Sequence, residues 1–530
     1  MSGIARAITF NCAGGDVTCL IISIQLANAA GGDNQIYLGS GTYHLTSVDN
    51  NATHGPNGLP VITSSLVLHG SGMSPTILQR DYALRAIEVS STGMLYLASL
   101  TIQGSAAEDT DLEQWGGLGL LNFGTASLFD IAIRGIENEG DGLAINNRGN
   151  LSLTGSLIDG NRCDQCEGAG ISSEGTMQIN RSTIRNNETY GSGGGIEARS
   201  GTITIIGSSI TNNYSRDGGG IETSGNLTIR DSTIAENGTD SGDGGGGIRV
   251  TGGLTRLIYC TVADNSVNTT FATGGGGILN RGGTVELQDT ILARNTWFHG
   301  FDNPPFSTPW DCAGAITSIG NNIVGSTFGC TTALRSTDHL GDAGLGVFTD
   351  QIPAADGWTQ GNGQIPLLSG SAAIDGGDPA TSGSHDQLGK SIVDGNVDGA
   401  AIRDIGAVEF KTPIVKNLVF LDMSKSKLSS TPVPNGPAGT ATISAILKNT
   451  SAEPIYAPFL SLHGVGDGAL LLTADQPPGG VGSRQTPNVG ADVVLSPGEQ
   501  VSFTIVFGLQ RLVIPKFAFD VLGGAGATSP

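Results

Sequence analysis

The sequence is poor in charged residues, in aromatic residues and in long apolar runs. Charged residues make up 14% of the 530 positions, and aromatic residues make up 5%. No apolar stretch reaches the roughly 18 residues that are needed to cross a bilayer, which excludes a membrane-spanning helix. The first ten residues, MSGIARAITF, also lack the apolar core of a secretory signal. If the protein is exported, we expect its signal to have been removed or replaced.

Basic residues are scarce as well. The chain has 26 Lys and Arg against 48 Asp and Glu, so its formal net charge is -22. Nucleic acid and anionic membranes repel a chain of this charge, and neither is an expected partner. Solubility and cation binding are the two uses that we expect for the excess of acidic residues.

Glycine, in contrast, is abundant, with 83 residues, many of them in runs that recur regularly. Each repeat ends in an apolar residue that is followed three positions later by Asn, as in Ile210 and Asn213. Between these markers the residues alternate with the period of a strand. The Ile or Leu that closes each glycine run recurs at intervals of 28, 25, 25, 27 and 30 residues, at Leu143, Ile171, Ile196, Ile221, Ile248 and Ile278.

A repeat of this kind predicts a right-handed parallel β-helix. A unit of ~25 residues with only short strands cannot bury its apolar face alone, so it must stack on its neighbours. Stacked strands lie ~4.8 Å apart, which gives residues 61–330 roughly eleven coils and a length of about 50 Å. We expect the glycine runs at corners that need positive φ and close backbone approach. We expect the asparagines to form a hydrogen-bonded ladder where the strands stop.

Three further segments surround the predicted β-helix of residues 61–330. Residues 1–60 contain one helical stretch, 19–29, which we expect to form an N-terminal helical cap over the open first coil. Residues 331–410 lose the repeat. Residues 411–530 change to alternating strands with Pro-Gly turns, which predicts a C-terminal immunoglobulin-like β-sandwich. The predicted fold class is therefore all-β.

The seven cysteines indicate an oxidising environment. Cys260 occupies the place of a Ser in its repeat, and we expect a buried, inert thiol there. Disulfides favour an extracellular or cell-surface location. The alternative for the CxxC motif at 163–166 is a redox or metal-binding role, but neither a βαβ pattern nor a second CxxC accompanies it. The other six cysteines predict three local disulfides, namely Cys12 with Cys19, Cys163 with Cys166, and Cys312 with Cys330.

The best catalytic candidates are Glu197, Glu222 and Arg249, which follow the glycine-run marker in successive repeats. Carboxylates at equivalent positions of adjacent coils lie ~5 Å apart, which is the separation of the acid pair in a retaining glycosidase. The alternative interpretation is structural. Stacked like charges repel each other, and a neighbouring arginine relieves that repulsion.

One stretch has the pattern of a metal site. Asp394, Asn396 and Asp398 place oxygen ligands at the spacing of the first half of a calcium loop. The twelfth position of that loop is Ile405, where a bidentate Glu is usual, so another acidic residue such as Asp404 would have to substitute. The sequence therefore favours a solvated acidic turn here, with a calcium site as the alternative and calcium as the one candidate cofactor.

Two stretches are similar to a family of bacterial surface β-helix proteins. The segment CLIISIQLANAAGGDNQIYLGSGTYHLT resembles the CSLREA-type N-terminal cap, with LIIS in place of the LREA core. The segment 367–410 resembles the choice-of-anchor Q domain, although Leu388 stands where that family has an arginine. The residues that match its motifs are Ser371, Ala373, Ile374, Asp375, Gly377, Asp378, Asp386, Gln387, Asp404, Ile405, Gly406, Ala407 and Glu409.

This resemblance implies an exported, surface-associated bacterial protein without an assigned activity. We predict a secreted or cell-surface structural or adhesive protein, whose open strand edges allow head-to-tail assembly into an extracellular filament. Its expected partners are other copies of itself or extracellular glycans. One alternative is a polysaccharide-active enzyme, a glycoside hydrolase or lyase, with Glu197 and Glu222 on an exposed face. The other alternative is a glycan-binding module with aromatic platforms along one face.

Overall fold

The structure is a computed structural model that describes residues 7–525 of the chain apart from fifteen short segments. These segments are 81–83, 105–114, 138–141, 241–242, 270–273, 300–305, 350–362, 369–370, 381–384, 393–400, 411–418, 452–453, 476–477, 482 and 491–493.

The predicted N-terminal helix forms at Val17–Ala30. Asp16 caps its N-terminus by accepting the Cys19 backbone N–H at 2.9 Å. Gly31, with φ of 62°, ends the helix by donating its N–H to Ala27. The apolar side chains spaced along one face of the helix are buried against the first strands. Among the described residues, no helix has the length and hydropathy to cross a bilayer.

The described residues from 9 to 340 wind into stacked coils of a right-handed parallel β-helix with three sheets. The longest sheet has two ladders of strands, which meet at a corner of each coil. The strands of its first ladder are Thr9–Cys12, Asp33–Leu38, Ser65–His69, Met94–Gln103, Thr125–Arg134, Asn150–Thr154, Thr176–Asn180, Thr202–Ile206, Asn226–Arg230, Leu254–Ile258, Thr284–Gln288 and Thr317–Gly320. The second ladder adds Gly41–Leu45, Thr76–Arg80, Leu157–Asp159, Thr183–Arg185, Ser209–Thr211, Thr233–Ala235, Thr261–Ala263, Ile291–Ala293, Ile323–Val324 and His339–Leu340.

Two shorter sheets close the coils. The strands of the ten-stranded sheet are Ile87–Val89, Leu120–Asn122, Ile145–Asn147, Ile171–Ser173, Ile196–Ala198, Ile221–Thr223, Ile248–Val250, Ile278–Asn280, Cys312–Ala315 and Cys330–Thr331. Those of the seven-stranded sheet are Arg162–Cys163, Glu188–Thr189, Tyr214–Ser215, Gly238–Thr239, Ser266–Asn268, Thr296–His299 and Phe306–Pro309. A small hairpin, Asn50–Ala52 with Gly55–Asn57, extends from an early coil.

The repeats lie on one another in register, as the sequence predicts. Ile196 pairs with Ile221, and Ile221 pairs with Ile248, and all three side chains are fully buried. The first ladder begins at Thr9–Cys12, so the coils start within the segment predicted as a cap. Twelve strands stacked at ~4.8 Å per step span about 53 Å. The alternation of the strands therefore directs one continuous apolar column into the interior.

The predicted asparagine ladder is confirmed. In each coil the Asn Nδ2 donates to Oδ1 of the next Asn at 2.8 to 3.0 Å. The same Oδ1 accepts the backbone N–H of the preceding Asn. Asp311 ends the ladder by accepting from Asn295 at 2.9 Å. The ladder thus provides hydrogen-bond partners for buried backbone groups at a corner of each coil. Residues at this corner, such as Asn212 (φ of 55°) and Glu236 (φ of 57°), have positive φ. Its members are Asn161, Asn187, Asn213, Asn237, Asn265 and Asn295.

The cysteines pair as predicted. The Cα atoms of Cys12 and Cys19 are 5.6 Å apart, those of Cys163 and Cys166 are 5.8 Å apart, and those of Cys312 and Cys330 are 5.3 Å apart. Cys260 is free and fully buried. Its burial raises the pKa of the thiol to about 12, which keeps it protonated and inert.

The C-terminal residues form two antiparallel sheets that share apolar clusters. Their side chains alternate between buried and exposed along the strand Gly439–Asn449, as expected where one face covers a core. One sheet contains Val419–Ser429, Gly439–Asn449, Leu470–Leu471 and Gln500–Leu509. The other contains Ile455–Val465, Arg484–Gln485, Val494–Leu495 and Phe517–Ala525.

Candidate functional site

The predicted carboxylate column lies on the ten-stranded sheet. Glu197 pairs in register with Glu222, and Glu222 pairs with Arg249. The column continues to Ser172 on one side and to Leu279 on the other. The three candidate side chains are therefore brought together on adjacent strands.

Both carboxylates are enclosed, with only 7% of each residue exposed. The glycine runs fold back against the backbone on the outer side of this sheet. Gly193 and Gly218 have φ of 63° and 76°, and a Cβ on either would lie 2.9 Å from an atom of the glutamate beneath it. Glycine is required because only a residue without a Cβ allows this close approach at positive φ. The predicted reason for the glycine runs, close backbone approach at positive φ, is thus confirmed at these two positions.

The electrostatics of the column follow from this burial. Arg249 Nη1 lies 2.5 Å from Oε1 of Glu222, while Oε2 of Glu222 and Oε2 of Glu197 have no hydrogen-bond partner. Burial raises the pKa of Glu197, and the adjacent Glu222 raises it further. Burial also raises the pKa of Glu222, although Arg249 opposes this shift. The pair therefore retains a proton in the range where exposed glutamates are ionised.

The segment that resembles the choice-of-anchor Q domain packs on the second ladder of the long sheet. Leu367, Ala373 and Ile405 form an apolar cluster with Ala235 and Ile291 of that ladder. Most of the matching residues thus lie in a docked cover that contacts the β-helix. This role was not evident from the sequence, because the contacts join residues more than 100 positions apart.

Arg403 anchors this cover although only 1% of it is exposed. Its Nη2 lies 2.8 Å from Oδ1 of Asp231, and its guanidinium lies 3.9 Å from the ring centroid of Tyr259. Asp404 accepts the backbone N–H of Asp375 at 2.7 Å. Burial, together with the neighbouring Glu409, raises the pKa of Asp404 to about 8. These acidic residues therefore act here as hydrogen-bond acceptors that shape the cover.

The calcium candidates Asp394, Asn396 and Asp398 lie outside the described residues. Within the part of the chain that is described, no three His, Cys, Asp or Glu side chains are grouped to hold a metal ion.

A second surface, which we call the open face, was not predicted. It consists of the outward side chains of the first ladder from Asp33–Leu38 to Thr202–Ile206. Tyr37 stacks on His69 with ring centroids 5.4 Å apart and planes 8° from parallel, and His69 meets Tyr96 at 5.7 Å. Tyr37 is 42% exposed, Tyr96 is 37% exposed and Phe129, one coil further, is 47% exposed. The signal in the sequence was strand alternation, which directs these rings outward while their neighbours point inward.

Small polar side chains continue the open face beyond the aromatic rings. From the strand that begins at Met94 to Thr202–Ile206, the outward positions carry no Asp, Glu, Lys or Arg. These positions are Met94, Tyr96, Thr125, Ser127, Phe129, Asn150, Ser152, Thr154, Thr176, Gln178, Asn180, Thr202, Thr204 and Ile206.

A cleft of about 360 Å³ adjoins the open face. Its lining includes Phe123, Arg148 and Glu174, together with the first strand residues of three coils, among them Thr125. Arg148 lies 3.3 Å from Glu174, and its guanidinium is 5.1 Å from the ring centroid of Trp115. The floor is made of glycines, because a Cβ at a position such as 149 or 175 would lie within 2.1 Å of a backbone oxygen.

Comparison with known proteins supports the fold. A family model described as a right handed beta helix region matches residues 116–296. No curated protein matches the chain.

Proposed function

We propose that this parallel β-helix protein is a structural or adhesive component of a bacterial surface or its extracellular surroundings. The observation that carries the proposal is the burial of Glu197 and Glu222, with 7% of each exposed. An enzyme cleaves a polysaccharide only where the sugar directly contacts a catalytic acid and a second group that acts as nucleophile or base. Enclosed carboxylates suit a structural column better than a hydrolase or lyase.

The regular interior also favours a role as a rigid structural element. The asparagine ladder joins six coils and Asp311 through buried hydrogen bonds. A chain whose contacts repeat between neighbouring coils gains stiffness along its axis. Three disulfides close local loops and suit an extracellular location.

The two ends of the chain have separate roles in this proposal. The helix Val17–Ala30, which packs against the first strands, acts as the cap that the CSLREA-like sequence suggests. The two C-terminal antiparallel sheets form an immunoglobulin-like sandwich for anchoring or for contact with a neighbouring copy. The described residues between 371 and 409, which resemble the choice-of-anchor Q domain, cover one side of the coils. Contacts between unlike ends would build a head-to-tail filament when the rotation between successive copies does not close into a ring.

Electron microscopy of the purified full chain, together with viscosity measurements on polysaccharide solutions, tests the proposal. We expect elongated particles or regular fibres, and unchanged viscosity of the polysaccharides. Loss of viscosity with the natural protein but not with Glu222→Gln would establish the enzyme instead. Compact particles that form no fibres would refute the structural role.

A further inference from the structure

The open face and the adjoining cleft have the composition of a ligand surface. Exposed apolar side chains that lie next to each other form a patch, and contiguous patches mark interaction sites. Here Tyr37, Tyr96 and Phe129 lie on one side of the early coils, and each is more than a third exposed. The same face carries hydroxyl and amide groups on the following coils, so that apolar platforms and hydrogen-bonding groups are combined.

We propose that the open face binds an extended, uncharged glycan that lies along the axis of the β-helix. One face of a sugar ring carries C–H groups that pack on aromatic rings, and its edges carry hydroxyl groups. Tyr37 and Tyr96 supply rings in two different coils, with His69 between them. The Thr, Ser, Asn and Gln columns supply donors and acceptors at the strand spacing of ~4.8 Å.

Charge selects the class of glycan. The outward positions from the Met94 strand to Thr202–Ile206 carry no charged side chain, in a protein whose net charge is -22. An acidic glycan would meet long-range repulsion without a cluster of cations to offset it. In the cleft, Arg148 is already paired with Glu174, so it leaves a polar but nearly neutral wall.

The cleft provides a binding site for part of the glycan. Its volume of about 360 Å³ lies within the size of small-molecule sites. Phe123 and Arg148 line it, and the exposed ends of the hydroxyl columns, such as Thr125 and Thr176, lie at its edge. Because glycines form its floor, a sugar ring could approach the backbone closely. The rigid β-helix holds these groups in place before binding, which reduces the entropy cost.

This inference names a class of ligand for the proposed adhesive role, and it rests on that proposed function. Its test is affinity electrophoresis of the full chain in native gels that contain hydroxyethyl cellulose, galactomannan or polygalacturonate. We expect at least one of the two uncharged polymers to retard the protein, and the acidic polymer to have no effect. The combined variant Tyr37→Ala, Tyr96→Ala and Phe129→Ala should weaken retardation about tenfold. Phe420→Ala, at a residue 57% exposed in the C-terminal sheets, is the matched control.

A second variant keeps the test informative if the first variant misfolds. Thr204→Glu places a charge at an outward position in the last strand of the open face and should also weaken binding. Circular dichroism checks that both variants keep the β spectrum. Absence of retardation by both uncharged polymers, stronger binding of polygalacturonate, or unchanged binding by the combined variant would overturn the inference.

Two further readouts separate this inference from the proposed function. Sedimentation tests whether the open face is a contact between copies: if the aromatic variant dissociates an oligomer and no polymer retards the natural protein, the glycan proposal is wrong. Compact particles in electron microscopy would refute the structural role and leave the retardation measurement intact. Lost retardation with elongated particles would refute the glycan site alone.

Discussion

The asparagine ladder allows a quantitative test of how the coils are held together. Asn213 makes four buried hydrogen bonds: its Nδ2 donates to Asn237 Oδ1 at 3.0 Å and to the Ile184 carbonyl at 3.0 Å. Its Oδ1 accepts the backbone N–H of Asn187 at 3.1 Å and the Asn187 Nδ2 at 2.9 Å. Asn213→Ala removes all four and leaves two buried donors of Asn187 without an acceptor.

The expected loss follows from those two donors. Each buried donor without an acceptor costs about 1–3 kcal/mol, so we expect the free energy of unfolding to fall by about 4 kcal/mol. The control is Asn150→Ala, at an exposed residue at the start of a strand, for which we expect a change within about 0.5 kcal/mol. The measurement is urea denaturation followed by circular dichroism, with both variants compared at the same protein concentration.

Hydrogen exchange shows whether the loss of stability in Asn213→Ala is local. We expect a local loss because each coil contacts only its neighbours. Peptides around Asn187 and Asn213 should exchange faster in Asn213→Ala, while peptides near Asn295 should keep their protection. Equal stability of the Asn213→Ala and Asn150→Ala variants would refute the idea that the ladder holds the coils together. A uniform rise of exchange over the whole chain would refute the locality of the contacts.

Three further predictions concern the charged groups. Because the folded-state pKa of Glu197 is raised, this residue should make the natural protein lose stability as pH rises above the pKa of an exposed Glu, by up to ~1.4 kcal/mol per pH unit. Glu197→Gln should therefore reduce the slope of stability against pH in urea titrations at pH 5 to 8, and an unchanged slope would contradict the shift. Arg403→Met removes the buried guanidinium that pairs with the partly exposed Asp231, and should cost up to about 3–5 kcal/mol and make the segment around Arg403 more accessible to limited proteolysis. Arg256→Met, which breaks an exposed pair, should cost under about 1 kcal/mol, and equal losses would show that Arg403 is no anchor. If residues 394–398 bind calcium, ~10 mM calcium should raise the unfolding temperature relative to EDTA, and Asp398→Asn should reduce that difference. Identical unfolding temperatures in calcium and in EDTA would contradict a calcium site at these residues.

The repeat and the ladder could be predicted from the sequence because both depend on local pattern. The recurrence of Ile196 and Ile221 sets the register, and the fixed offset of Asn213 from Ile210 places the asparagines at one corner. Inward and outward positions then follow from strand alternation alone. The helix at Val17–Ala30 was also predictable, since apolar residues recur at its helical spacing.

The accessibility of the candidate site could not be predicted in the same way. Glu197 is at an outward position, and alternation alone would leave it in solvent. The cover comes from Gly193, whose positive φ turns the preceding loop back over the sheet, and this path depends on backbone geometry that composition does not specify. The open face was missed for a different reason. Tyr37, His69 and Tyr96 lie in early coils whose sequences diverge from the repeat, so their alignment depends on the register of the whole ladder.

The faces of the β-helix therefore differ in what can reach them, although one repeat builds them all. Glycine backbone covers the outer side of the ten-stranded sheet, and the segment around Arg403 and Ile405 covers much of the second ladder. Among the described residues of the long sheet, the first ladder keeps its outward side chains in solvent over many consecutive coils. A large partner that reads several coils at once would meet this face without displacing any part of the chain. Selection for binding should therefore act on its outward positions, while the inward positions remain constrained by packing.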